Sequence, residues 1–247
     1  MHVLGVDAAG RAGWVGVVLG GSGFCSAHLA PTVADLIEVA EAGLADSSAV
    51  PGGRLAAIGV DIPIGLVDAP ARAADLAARR YVGPKRASSV FTAPHPAVLA
   101  CTSQAEANEL LRARNAAGDD PPIPLMSAQA WNIVARIAEV AAIAGDDRIC
   151  ETFPEASFTA MAGGAPPSSS KKTWAGLQER LARLAATEPA IRVPGDLGRA
   201  GAVPADDVVD AAACAWSAWR VARGDAVALG DPTERDVISD RRIAVWV

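Results

Sequence analysis

Cysteine is scarce and scattered. Cys25, Cys101, Cys150 and Cys214 form no C-x-x-C pair and no zinc-type spacing with histidine, which argues against a zinc site and a disulfide framework and predicts buried free thiols. Long apolar runs are also missing. Arg136 and Glu139 interrupt one candidate and Arg220 ends the other, so nothing reaches the roughly 18 residues of a membrane span. Residues 1–10 read as a strand, without the basic and apolar blocks of a secretory leader, so a soluble, cytoplasmic protein with no membrane partner is expected. Basic charge is short as well: 22 Lys and Arg face 28 Asp and Glu, for a net charge of −6. Broad non-specific nucleic-acid binding, which depends on many cationic contacts to phosphate, is disfavoured; any such substrate must be gripped locally. Of the three histidines, only His95, between Pro94 and Pro96, falls in an expected loop, where it reads as a surface residue. No nucleophile triad stands out.

What is present is a compact, alanine-rich chain with 51% hydrophobic residues, enough for one domain over residues 1–247 with its own core. Three β-rich runs, His2–Ala9, Gly13–Gly20 and Phe24–Ala30, are separated by glycine turns as in an antiparallel meander. Thr32 can cap a helix to about Ala45 with an apolar stripe at Leu36, Ile37, Ala40 and Leu44, and Leu55–Ile64 supplies a buried strand. Helices are predicted at Ala71–Tyr81, Gln104–Asn115, Ala128–Ala144, Thr173–Ala185 and Asp206–Arg223, the last stopped by Gly224, with a strand at Arg148–Phe153. The β-β-β-α-β-α order predicts an α/β fold, a mixed sheet flanked by helices, with helical insertions around 71–145 and 160–200.

Against this apolar background the acidic residues are conspicuous by position. Asp7 ends Val-Leu-Gly-Val-Asp, and the same Gly-Val-Asp returns at Gly59–Asp61, so both carboxylates fall toward the carboxyl ends of buried strands. Desolvating a lone carboxylate is expensive, so each needs a partner, a metal or a turn to cap. Asp206 can cap the last helix, while Asp207 and Asp210, three apart, share one face of it; acidic residues there also complement the helix dipole. Hard oxygen donors select magnesium or manganese. Glu151 and Glu155 flank Phe153, and either can supply a further ligand or a salt bridge. Positive charge gathers at Arg72, Arg79, Arg80, Lys85 and Arg86, with Ser88 and Ser89 following and Lys171 and Lys172 farther on; Arg79, Lys85, Arg86, Ser88 and Lys171 are the candidate phosphate grips, or ordinary solvated groups. The tryptophans read as packing residues, with Trp14 and Trp131 as lesser candidates for base stacking.

Gly5-Val-Asp7 with Gly13-Trp14, Gly59-Val-Asp61-Ile-Pro63, Glu151-x-x-Pro154-Glu155 and Asp206-Asp207-x-x-Asp210-Ala211 resemble the domain of unknown function 429 family, described as predicted ribonuclease H-like nucleases. The resemblance runs over nearly the whole chain, through Arg72, Asp75, Arg79, Ser88–Phe91 and Lys171-Lys172. The strand order and late acidic helix also look like Holliday-junction resolvases. The resemblance favours Glu155 over Glu151 and implies a ribonuclease H-like nuclease acting on nucleic acid or a nucleotide. In it two Mg2+ or Mn2+ ions roughly 4 Å apart are held by Asp7, Asp61, Asp207 and Asp210, with Glu155 completing the catalytic set. The rivals are an actin-like ATPase or kinase, for which Asp7-Ala-Ala-Gly10 imitates a phosphate loop but a second glycine-rich motif is missing, and a binding module that has lost catalysis.

Overall fold

Alternation along the first strand sets the two faces of the sheet. In the computed structural model, which describes residues 1–45, 53–118 and 121–247, β1 (Val3–Ala8) pairs antiparallel with β2 (Trp14–Gly20), and β2 pairs antiparallel with β3 (Gly23–Ala30). Helix α1 (Val33–Ala45) carries the chain back, so that β4 (Ala57–Val60) lies parallel to β1. After α2 (Ala73–Val82), α3 (Gln104–Ala117), α4 (Ala128–Trp131) and α5 (Val134–Ala141), β5 (Ile149–Thr152) lies parallel to β4. Helices α6 (Pro154–Met161), α7 (Trp174–Ala185) and α8 (Ala205–Arg223) follow, and β6 (Ala228–Leu229) and β7 (Val245–Trp246) complete a seven-stranded mixed sheet in the order β3-β2-β1-β4-β5-β7-β6.

Helices cover both faces. Leu4 and Val6 of β1, with Ile58 and Val60 of β4, pack against Leu36 and Ala40 of α1 and Ile137 and Val140 of α5. Val3, Val15, Val17 and Ala57 face the other way, onto α8, Phe158 of α6 and Leu184 of α7. On this second face the sheet carries Gly5 and Gly59, and the reason is steric. A Cβ on Gly5 would stand 2.0 Å from Ala215 N and 2.1 Å from Ala211 O, and one on Gly59 would stand 2.7 Å from Cys214 O. With Ala211, Ala215 and Ala218 opposite, backbone lies almost on backbone, which brings the amino end of α8 to the carboxyl ends of β1 and β4.

Several expected boundaries move. The segment expected to be one helix over 128–144 breaks after Trp131 into α4 and α5. Pro154 does not merely stop the strand: its fixed φ opens α6. β4 occupies only the middle of the Leu55–Ile64 run. Pro204, not Asp206, precedes the last helix, and Asp206 lies in its first turn; Gly224 does close it, in the left-handed region at φ 76°. Cys150 and Cys214 are buried free thiols, but Cys25 is exposed. His95 is also buried, accepting from Ala97 N and pairing with Asp68 at 2.5 Å. Trp14 is a core residue whose Nε1 donates to Glu139 at 3.0 Å. Among the described residues, no helix is long and apolar enough to cross a membrane.

Candidate active site

The parallel pairing of β1 with β4 builds the site. Val6 and Val60 are partners, and Asp61 N donates to Val6 O at 2.9 Å, so Asp7 and Asp61 are neighbours one residue farther along. Each lies two residues beyond a glycine that faces α8, and side chains alternate along a strand; both carboxylates therefore point to the α8 side. There they meet Asp210, one turn into α8 and 1% exposed.

Electrostatics report the convergence. Burial, then Asp61 and Asp210, pushes the Asp7 carboxyl well above its ordinary value. Burial followed by the Asp210 charge raises Asp61 to about 8, and burial raises Asp210 to about 6 although Lys171 pulls the other way. Asp7 Oδ1 accepts from its neighbour Ala8 N at 2.7 Å. Asp207 is peripheral: it is half-buried, and after burial its strongest influence is the adjacent Asp206.

The two glutamates take different roles. Glu151 is closed off by the buried Arg72 guanidinium, at 2.7 Å to each carboxylate oxygen, and by Ile64 N at 2.7 Å. Arg72, which also pairs with Asp75, is thus a buried structural cation. Glu155, in the first turn of α6, pairs with Arg180 of α7 through Oε1. Its Oε2 is buried without a hydrogen-bond partner, and the Arg86 Nε stands 4.0 Å away. Asp210 Oδ1 is buried and unpartnered in the same way.

Lysines 171 and 172 close the cluster. Lys171 Nζ hydrogen-bonds Asp210 Oδ2 and stands 3.8 Å from Asp206, which Lys172 reaches at 2.6 Å. Asp210, Asp7 and Asp61 raise the Lys171 ammonium above its ordinary value against the opposing effect of burial. Among the described residues, no group of three or more His, Cys, Asp or Glu side chains is arranged to hold a metal ion as it stands; the cation that meets Asp210 is Lys171.

The other basic candidates divide. Arg86 donates to Pro167 O at 3.0 and 2.8 Å and to Ser169 O at 2.6 Å, which ties the serine loop ahead of Lys171 to the rim beside Glu155. Arg79 is not a free grip: its Nη2 is taken by Val90 O at 3.0 Å and Thr92 Oγ1 at 2.6 Å. Lys85 and Ser88 are exposed, and Ser88 lines a hollow against Phe91. Arg180 is the member of the site that sequence reasoning missed. The helical spacing of α7 placed it on a helix, but only the α6–α7 packing brings it to Glu155.

A family model described as "protein of unknown function (DUF429)" matches residues 5–235. The chain belongs to the DUF429 family. The matched span takes in every carboxylate and cation of this cluster in the DUF429 chain. No curated protein and no solved structure matches it.

Proposed function

We propose that the protein is a divalent-metal-dependent hydrolase of phosphodiester bonds in nucleic acid, built on a ribonuclease H-like sheet. The observation that carries this reading is the meeting of three carboxylates with raised proton affinity, Asp7, Asp61 and Asp210, beside the two unpartnered buried oxygens Asp210 Oδ1 and Glu155 Oε2. Buried acceptors without donors are costly, and an all-oxygen set fits Mg2+ or Mn2+. Three antiparallel strands followed by two parallel ones, with the acidic helix crossing β1 and β4, support the fold assignment.

Asp7, Asp61 and Asp210 would hold the metal, with Glu155 at its edge and Asp207 farther out. When bound, the metal supplies a Lewis acid and an activated water for attack on phosphorus. Arg180, paired with Oε1, holds the Glu155 carboxylate in place with Oε2 left open. Lys172, exposed at the rim, would hold a phosphate oxygen, while Arg86, committed to Pro167 O and Ser169 O, would fix the loop that carries it. Lys171 neutralises Asp210 until that carboxylate is needed.

Asp7→Asn nearly preserves shape while removing one charge. It is expected to reduce magnesium- or manganese-dependent cleavage at least about 100-fold and weaken manganese binding. The metal-free protein should melt no lower than wild type, because repulsion among the remaining carboxylates falls. Calorimetric titration, thermal unfolding, and cleavage assays on branched DNA, single strands and RNA–DNA hybrids measure the three effects. Wild-type protein that binds no divalent metal at millimolar concentration, with these substrates present, would sink the reading.

A further inference from the structure

Beside the acidic cluster lie two hollows with a common wall. The smaller, about 30 Å3, is lined by Asp61, Arg72, Glu151 and Thr152; the larger, about 260 Å3, opens between the Ser88–His95 segment and the Pro124–Gln129 segment. Val90 and Phe91 line both. Phe91 is 39% exposed, although its neighbour Val90 is buried.

Both walls of the larger hollow are held from behind. On one side Arg79 clamps Val90 O and Thr92 Oγ1, while Ala93 N donates at 3.0 Å to Asp75, itself locked by Arg72. On the other side the side-chain amides of α3 grip the proline-rich run. Asn108 accepts from Met126 N at 2.7 Å and donates to Met126 O at 3.1 Å, and Asn115 does the same for Ile123 at 2.8 and 3.0 Å. Such bracing fixes a recognition surface before its ligand arrives.

The lining selects a ligand. It contains no Asp, Glu, Lys or Arg; Phe91, Pro94, Leu125 and Met126 supply flat apolar contact, while Ser88 and Gln129 supply hydrogen-bonding groups. Its one titratable side chain, His95, has both ring nitrogens taken, by Asp68 and by Ala97 N, so a phosphate finds no counter-ion there. The volume falls just under the ~300–1,000 Å3 of drug-sized ligand sites, which suits one planar heterocycle. We propose that this hollow is a base-binding subsite: it takes one unpaired nucleobase of the substrate, stacked on Phe91 and read by Gln129, while the adjoining phosphate lies toward Asp61. This rests on the hydrolase reading and narrows it to a substrate that is single-stranded, or locally unpaired, beside the cleaved bond.

The test uses short single-stranded DNA carrying 2-aminopurine at one position, and the same strand with an abasic site there. Binding is read by fluorescence anisotropy of an end label and by 2-aminopurine emission, with manganese and separately with chelator. Phe91→Ala should weaken binding of the intact strand about tenfold and Phe91→Tyr should retain it. The abasic strand should lose the same factor on wild type and nothing more on Phe91→Ala. Manganese titration of Phe91→Ala should match wild type. Equal binding of intact and abasic strands by wild type, no effect of Phe91→Ala, or no binding of the strand at all overturns the subsite. If the discrimination holds but wild type neither binds manganese nor cleaves, the subsite stands and the hydrolase reading falls; cleavage without discrimination is the reverse.

Discussion

Lys171 is the residue on which the cluster turns. Its ammonium lies among Asp206, Asp210 and, at longer range, Asp7 and Asp61, so it and a divalent cation answer the same excess of negative charge. Lys171→Met removes that charge while keeping the stem. Removing one partner of a fully buried ion pair costs about 3–5 kcal/mol; with a side chain 35% exposed, solvent screening reduces this to about 1–2 kcal/mol in metal-free protein. Manganese affinity should rise in the same variant, read by calorimetry beside thermal unfolding. A fall in affinity would mean that Lys171 supports metal binding rather than opposing it. Asp7 and Asp61 were legible in the sequence because a charge inside Gly-Val-Asp interrupts buried strand. The partners of Arg86 and Arg79 were not, because apart from Thr92 Oγ1 their acceptors are Pro167 O, Ser169 O and Val90 O, carbonyls that every residue possesses and no side-chain pattern marks.

At the scale of elements, the closeness of α8 to β1 governs the site. Gly5→Ala would force a Cβ into the backbone of α8, where neither partner can swing aside as a side chain would. It should destabilise the protein by about 3 kcal/mol or more, with Gly59→Ala milder because its nearest contact is 2.7 Å rather than 2.0 Å. Urea unfolding of the two variants checks the order; equal, small effects would show that the helix can lift away. The legible elements were those long enough to show a period or a cap: α1, α7 with Thr173 accepting from Gly176 N at 3.1 Å, and α8 with Gly224. The two-residue strands β6 and β7 are too short for any alternation, and α6 was hidden because Pro154 ends a strand and opens a helix at once.

For the whole molecule, the buried carboxylates give stability an uncommon pH dependence. Asp61 at about 8 and Asp210 at about 6 hold protons in the folded state that the unfolded chain releases near 3.8. The folded state then binds more protons, so stability conferred by these groups is complete below about pH 4 and declines as pH rises through about 6 and 8. In chelator, melting temperature should fall between pH 5 and pH 8, and Asp61→Asn should flatten the upper part of that decline. A rise over the same range would contradict the cluster's electrostatics.

The sheet order carries a consequence in time. Asp7 and Asp61 become neighbours as soon as β4 joins β1, whereas Asp210 lies 149 residues beyond Asp61, on the helix that also covers Val3, Val15 and Val17. During synthesis the ribosome therefore exposes an apolar strip and two unanswered carboxylates until α8 has emerged. The carboxylate cluster is completed by the same late docking event that hides the strip, so a chain that lacks α8 has neither a sealed core nor the third carboxylate.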